Sequence, residues 1–206
     1  MGSSAEPPRL VLVTDRHATA GRDLADVVAA ALDAGLPAVQ LRDKELPARA
    51  LLVLAERLRA LTARTGALLL VNDRVDVAAA VGADGVHLGV GSMPPDVVRG
   101  LLPPGALVGV STHAPAEVAA TTADFAFFGP VYVTPSKAAY GPPQGVESLR
   151  KAAAGASVPM LAIGGVTAAS VAELRAAGAA GVAVIRAILA ADDPARATRE
   201  LLQMLA

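Results

Sequence analysis

Cysteine is missing from this chain, and its absence removes disulfides, thiolate metal sites and thiol nucleophiles together. Aromatic residues are nearly missing: two tyrosines, three phenylalanines and no tryptophan, so a core drawn from the 53 % hydrophobic residues must be closed with Ala, Val and Leu. Neither charge sign dominates. Eighteen Lys and Arg against nineteen Asp and Glu leave a net charge of -1, which offers no electrostatic footprint for nucleic acid or an anionic membrane. No apolar run approaches the roughly 18 residues of a membrane helix. Met1–Pro8 has no basic segment ahead of an apolar one, so no secretory signal is expected. Residues 1–8 read as a disordered tail and 9–206 as one domain, with the cytoplasm as the default compartment. A homodimer is compatible with the sequence. The three histidines form no His-x-His pair, which argues against zinc, and no Gly-x-Ser-x-Gly elbow is present.

What is there is alternation. Short apolar runs at 10–13, 37–42, 67–71, 86–88, 107–110, 125–128, 158–163 and 181–185 are followed by helical patterns at 22–34, 47–65, 75–81, 94–102, 115–121, 145–154, 168–177 and 193–205. Strict strand–helix alternation predicts a parallel sheet, and wholly apolar strands predict that both its faces are covered. Ala-Gly-Leu-Pro-Ala-Val (34–39), Val-Gly-Ala-Asp-Gly-Val (81–86) and Ala-Gly-Ala-Ala-Gly-Val (177–182) each read as a glycine-capped helix end feeding a strand. Gly35 to Gly82 is 47 residues and Gly82 to Gly178 is 96, so two units take about 48 residues and eight fill the chain. The fold class expected is α/β, a compact single-domain (β/α)8 TIM barrel. An open doubly wound sheet is the alternative, but no Gly-x-Gly-x-x-Gly follows the first strand.

Residues just past the C-terminal ends of barrel strands face the active site. The first strand supplies Thr14 and Asp15, the second Gln40, Arg42 and Lys44, the third Asn72 and Asp73, the fourth His87, and the fifth Ser111, Thr112 and His113. The sixth opens into Thr134-Pro-Ser136-Lys137 with a glycine–proline segment behind it, the seventh into Gly164-Gly165, and the eighth into Arg186. Two cations and an amide at the second strand suit a ligand with several phosphate oxygens; surface pairing with Asp43 or Glu45 is the bland reading. Asn72 suits an amino heterocycle. Asp73 suits a divalent cation shared with phosphates, or simply caps the helix at 75–81. Paired glycines before Thr167, a candidate N-cap, let backbone approach a phosphate. Two hydroxyls and Lys137 suit an anion, and a solvated loop would look the same. His87 fits a core position as well as a catalytic one.

Taken in order, LVLVTD (10–15), VQLRDK (39–44), VNDRVDVA (71–78), GADGVHLG (82–89), GVSTH (109–113), FFGPVYVTPSK (127–137), GPPQGVESL (141–149), AIGGV (162–166) and GVAVIRAI (181–188) resemble the thiamine phosphate synthase and thiazole tautomerase superfamily, and the synthase branch more closely. The resemblance implies a Mg²⁺-dependent enzyme joining a pyrimidine methyl diphosphate to a thiazole phosphate through a pyrimidine cation. It implies that Gln40, Arg42, Lys44, Asn72 and Lys137 hold the pyrimidine diphosphate. Thr134 and Ser136 would contact the thiazole, Gly165 with Ile185 and Arg186 its phosphate, and Ser111 would lie beside the leaving group. Arg42, Lys44, Lys137 and Ser111 would carry the catalysis, and Asp73 would bind the metal. The chain departs from the family pattern twice. Ser92 stands where the family has its second metal-binding aspartate, and Arg186 where it has serine. Gly91-Ser92 is similar to the tautomerases, which isomerise a thiazole carboxylate phosphate without metal, but Pro130 stands at their catalytic histidine. A phosphate-binding barrel without catalysis is the third reading.

Overall fold

The computed structural model describes residues 7–134 and 142–206. Eight parallel strands close in sequence order: β1 (Leu10–Val13), β2 (Ala38–Leu41), β3 (Leu68–Asn72), β4 (Gly85–Leu88), β5 (Leu107–Thr112), β6 (Phe125–Phe128), β7 (Met160–Ile163) and β8 (Gly181–Val184), with β8 paired back onto β1. The expected barrel is therefore present, and the open-sheet alternative is not.

Nine α-helices surround the barrel among the described residues: α1 (Leu24–Asp33), α2 (Ala48–Thr65), α3 (Val75–Val81), α4 (Pro95–Arg99), α5 (Pro115–Ala120), α6 (Gly145–Gly155), α7 (Val171–Ala176), α8 (Arg186–Leu189) and α9 (Pro194–Leu205). The ninth is the correction. Residues 186–189 carry a one-turn helix that sequence periodicity could not register, because four residues are too short for a 3.6-residue repeat to show. The glycine punctuation holds: Gly35, Gly82 and Gly178 have φ of +97°, +60° and +100° at helix ends, a conformation in which an L side chain is strained.

Two apolar layers follow from the two faces of each strand. Leu10, Leu12, Val39, Val71, Val86, Val108, Ala126, Phe128, Val182 and Val184 point outward under the helices. Val11, Val13, Ala38, Leu70, Leu107, Phe125, Phe127, Leu161 and Ala183 fill the barrel. With so few aromatics, each one matters. Gly109 on β5 faces inward, and a Cβ there would fall inside van der Waals contact with the Phe125 ring. The glycine thus makes room for the mutually tilted rings of Phe125, Phe127 and His87. Above that aromatic plug the inward positions turn polar.

Candidate active site

Period two carries the inward face of the strands up to a polar mouth: Gln40 on β2, Asn72 on β3, His87 on β4 and Ser111 on β5 all line one cavity of about 420 Å³. That is a size suited to a small ligand. The cavity continues past Thr134, Gly164, Gly165, Thr167, Ile185 and Arg186. A second lobe, lined by Lys44, Asp73, Gly89, Ser92, Pro142 and Gln144, shares Arg42, Asn72, Ser111, His113 and Pro130 with the first. The described residues singled out from the sequence therefore stand at the same mouth, except Thr14, which is buried behind it. Ser136 and Lys137 lie outside the described residues.

The β2 end is built to leave its cations open. Thr14 Oγ1 accepts the Arg42 N–H at 2.8 Å and donates to the Arg42 carbonyl at 3.2 Å, which fixes the backbone from which Arg42 springs. Asp43 and Glu45, the bland partners for Arg42 and Lys44, are occupied elsewhere. Arg16 pairs with Asp43 at 2.9 Å and with Glu45 at 2.6 Å, and His17 meets Glu45 at 3.1 Å. Among the described residues no carboxylate lies within ion-pair distance of Arg42, Lys44 or Arg186. Arg186 is exposed on the cavity wall, so it borders the space without filling it.

Asp73 is not the cap of α3; Arg74 holds that position, without a side-chain cap bond. Asp73 has φ +59°, which turns its carboxylate back toward the mouth. There Oδ1 accepts the Gly89 N–H at 3.0 Å and the hydroxyl of Ser92, and Oδ2 accepts Asn72 Nδ2 at 2.7 Å. Burial opposes ionisation of Asp73. The bonds from Ser92, Gly89 and Asn72 and the nearby charge of Lys44 outweigh it, holding the carboxyl below its ordinary range. An ionised carboxylate can only accept, and this sets the direction of a chain of amides. Asn72 gives its NH₂ to Asp73 and so turns Oδ1 to Gln40 Nε2 at 3.0 Å. Gln40 Oε1 is left buried with no partner among the described residues. Gln40 itself lines the cavity, and a bare acceptor on such a residue is the kind of group a ligand N–H satisfies.

The β6 and β7 loops close the other side. Val131 N–H bonds the Ile163 carbonyl at 2.8 Å and Tyr132 N–H the Gly164 carbonyl at 3.0 Å. Gly164 and Gly165 have φ of +95° and +68°, and added Cβ atoms would lie 2.5 Å from Pro130 Cβ and 2.7 Å from Tyr132 Cβ. The pair is thus required by the crossing of the two loops, a reason the sequence reading did not contain. Gly165 is still exposed on the cavity wall. Thr167 precedes a 3₁₀ turn at Ala168–Ser170, its N–H bound by Ser170 Oγ at 3.1 Å. Tyr132 donates its hydroxyl to Glu173 at 2.7 Å; burial and that carboxylate raise its pKa to about 12.

Two histidines resolve differently. His113 is tied through Nδ1 to the Gly129 carbonyl, and its N–H bonds Glu117 at 2.6 Å. His87 is 1 % exposed, with Nε2 3.0 Å from Ser111 Oγ. Burial drives its pKa down to about 3, with Asp73 opposing the shift and Arg42 adding to it, so the ring is neutral. The His87–Ser111 link was not read from the sequence; the signal was available, since both residues lie at inward positions on adjacent strands.

Comparison with known proteins agrees with this geometry. Residues 10–188 match the family described as thiamine monophosphate synthase. A relative from Geobacter sulfurreducens is 54 % identical over 199 residues, covering 95 % of this chain and 93 % of its own. The thiamine-phosphate synthase of Roseiflexus castenholzii is 46 % identical over 95 % of this chain and 87 % of its own. Thiamine phosphate pyrophosphorylase from Pyrococcus furiosus superposes with a TM-score of 0.84 at 36 % identity, covering 96 % of this chain and 95 % of that one. The strand order, the polar mouth and these matches together place the chain in the thiamine monophosphate synthase family.

Proposed function

We propose that this chain is a thiamine phosphate synthase in the cytoplasm. It couples 4-amino-2-methyl-5-hydroxymethylpyrimidine diphosphate to 4-methyl-5-(2-hydroxyethyl)thiazole phosphate, forming thiamine phosphate and pyrophosphate. The observation that carries the reading is the pairing, at one mouth, of cations outside ion-pair distance of any described carboxylate with an amide-lined floor. Arg42 and Lys44 face the lobe that holds Asp73, while Gln40, whose buried Oε1 has no partner among the described residues, lines the adjoining cavity. An aminopyrimidine carrying a diphosphate matches both features: its amino group meets Gln40 and its phosphates meet Arg42 and Lys44. The thiazole phosphate then lies along Thr134, Ser136 and Gly165, with its phosphate toward Ile185 and Arg186, where the loops after strands 7 and 8 commonly receive phosphate in this architecture.

The reaction breaks the bond between the pyrimidine methylene carbon and the diphosphate oxygen, whose electron pair leaves with the diphosphate. The resulting pyrimidine cation is captured by the thiazole nitrogen lone pair, forming the new carbon–nitrogen bond. No group of tuned basicity is needed at that carbon. The protein's tasks are to stabilise charge growing on the departing oxygens and to hold the nitrogen in line. Arg42, Lys44, Lys137 and the hydroxyl of Ser111 serve the first, and the walls of the cavity the second.

Magnesium fits the donor set in a reduced form. Asp73 is an ionised carboxylate with the Ser92 hydroxyl beside it. No group of three or more His, Cys, Asp or Glu suited to a metal occurs among the described residues. One carboxylate with substrate phosphate oxygens is a sufficient Mg²⁺ arrangement, so Asp73 would hold the ion with the diphosphate. Bound there, it would neutralise charge on the leaving group.

The test is direct. Purified protein given both substrates with Mg²⁺ should release thiamine phosphate and pyrophosphate in equal amounts. Isomerisation of a thiazole carboxylate phosphate without metal, and no coupling, would replace this reading with the tautomerase one. Ligand binding with neither turnover would leave a phosphate-binding barrel.

A further inference from the structure

We propose that His87 is a positioning residue: as the neutral Nε2–H tautomer it donates to Ser111 Oγ and so aims the serine hydroxyl hydrogen into the cavity. Its ring is enclosed. It lies 4.1 Å from the centre of Phe127 and 5.8 Å from that of Phe125, beside Gly109, whose missing side chain leaves the room. Two tautomers are available to a neutral imidazole, and they treat Ser111 in opposite ways.

With the proton on Nδ1, a buried N–H would be left bare, since Nδ1 has no hydrogen-bond partner among the described residues. Orphaned buried N–H groups are the rarest kind of unsatisfied polar atom. Nε2 would then accept from Ser111, whose hydrogen would be turned down toward the floor and whose lone pairs would be turned up toward the ligand. With the proton on Nε2, the form that histidine intrinsically favours, the donor is satisfied by Ser111 at 3.0 Å and only a lone pair is left bare. Ser111 Oγ is then an acceptor from below and must donate upward.

Ser111 lines both lobes of the mouth. A hydroxyl aimed outward is a preset donor for an anionic oxygen, and one aimed inward would oppose it with lone pairs. The ionised Asp73 fixes which way the Asn72–Gln40 amides face. In the same manner His87 fixes which way Ser111 faces, so the floor holds its donor and acceptor pattern before any ligand arrives.

The inference rests on the proposed function only for what the hydroxyl meets, so its test is made first without turnover. In protein labelled with ¹⁵N at its three histidines, the nitrogen spectrum reports the His87 tautomer directly. A protonated Nε2 with a bare Nδ1 is expected, and the reverse overturns the proposal even if the protein couples both substrates well. Affinity for inorganic pyrophosphate gives the second readout. His87→Leu and Ser111→Ala should each weaken it by about tenfold, the worth of one hydrogen bond to a charged group. The double variant should be no weaker than Ser111→Ala alone. His87→Gln, whose amide N–H can reach the same place, should recover most of the loss. If His87→Leu weakens pyrophosphate binding as much without Ser111 as with it, the histidine acts through the fold alone and the proposal fails.

Discussion

The two ends of this barrel treat charge in opposite ways. At the N-terminal end of the strands the charged groups are matched. Asp84, in the turn before β4, takes Arg59 of α2 at 2.6 Å and the Leu69 N–H of β3 at 2.8 Å. Asp124, in the turn before β6, takes Arg99 of α4 at 3.1 Å and the Val108 N–H of β5 at 2.7 Å. The two devices are the same one, 40 residues apart: Arg59 and Arg99, Asp84 and Asp124. Arg175 closes the third such corner on the carbonyls of Ala179 and Ala180, at 3.1 and 3.0 Å. At the C-terminal mouth, Arg42, Lys44 and Arg186 have no such match among the described residues, and a buried acceptor and a buried imidazole nitrogen go unpartnered. One end spends these groups on the fold; the other, beside the Arg16 pairs with Asp43 and Glu45, leaves three cations outside ion-pair distance of any described carboxylate.

The largest effect expected from breaking this contrast is at the mouth. Arg42→Ala and Lys137→Ala should each lower the coupling rate on the order of a hundredfold, the usual loss when a group that stabilises transition-state charge is removed. Thermal stability should barely move, because among the described residues the Arg42 side chain makes no hydrogen bond or ion pair. Steady-state kinetics beside a melting curve decides it. Near-normal turnover in either variant removes that residue from the leaving-group site. The next effect belongs to the other end. Asp84→Ala leaves the Leu69 N–H and Arg59 without their acceptor and should cost about 1–3 kcal/mol of stability. Below the melting range its turnover should match the native chain. If denaturant unfolding shows no loss, the corner pairs are surface decoration.

A smaller effect sharpens the comparison within the mouth itself. Arg186→Ser should raise KM for the thiazole phosphate by about tenfold, as expected for losing one charge-assisted bond, with kcat and the KM for the pyrimidine diphosphate unchanged. A KM that falls instead would mean that the arginine obstructs the phosphate.

Much of the barrel end that binds was legible before the structure, and little of the end that holds. Strand C-termini carry side chains whose chemistry announces itself: Gln40, Arg42 and Lys44 at period two, Asn72-Asp73 and Gly164-Gly165. The matched corners depend on contacts between residues 15 and 25 apart, such as Leu69 with Asp84 and Arg59 with Asp84, which no local period reveals. The repeat of Arg and Asp at 40 residues is present in the sequence, but without the contacts nothing distinguishes it from the glycine spacing of about 48. Asp73 was read two ways because its residue type fits a cap and a ligand alike. The structure removes the cap reading, with Arg74 at the cap and Asp73 at positive φ, and φ is not written in a non-glycine residue. Asp43 and Glu45 stand one and three residues from Arg42 in sequence but belong to Arg16, which illustrates how poorly nearness along the chain predicts ion pairing.

The smallest expected effect concerns Asp73, the carboxylate beside Arg42 and Lys44 in the second lobe of the mouth. Asp73 now receives the Ser92 hydroxyl and the Gly89 N–H on the same oxygen, and Gly89 N–H also bonds Ser92 Oγ at 2.7 Å, so the serine is knitted into the loop where the family pattern has aspartate. A hydroxyl contributes no charge, and Mg²⁺ held by Asp73 and phosphate oxygens alone should need a high concentration to saturate. Ser92→Asp adds a second carboxylate facing the first. Without metal the two repel, which raises the pKa of one of them and loosens the loop. With metal they share it. The half-saturating Mg²⁺ concentration for coupling should therefore fall several-fold in Ser92→Asp while the rate at saturation stays close to native. Melting without metal should come slightly earlier for the variant, and added Mg²⁺ with pyrophosphate should reverse that order. Rate curves against Mg²⁺ that coincide for the two chains would mean that position 92 does not face the ion, and that the loop after β4 serves Asp73 only as a hydrogen-bond donor.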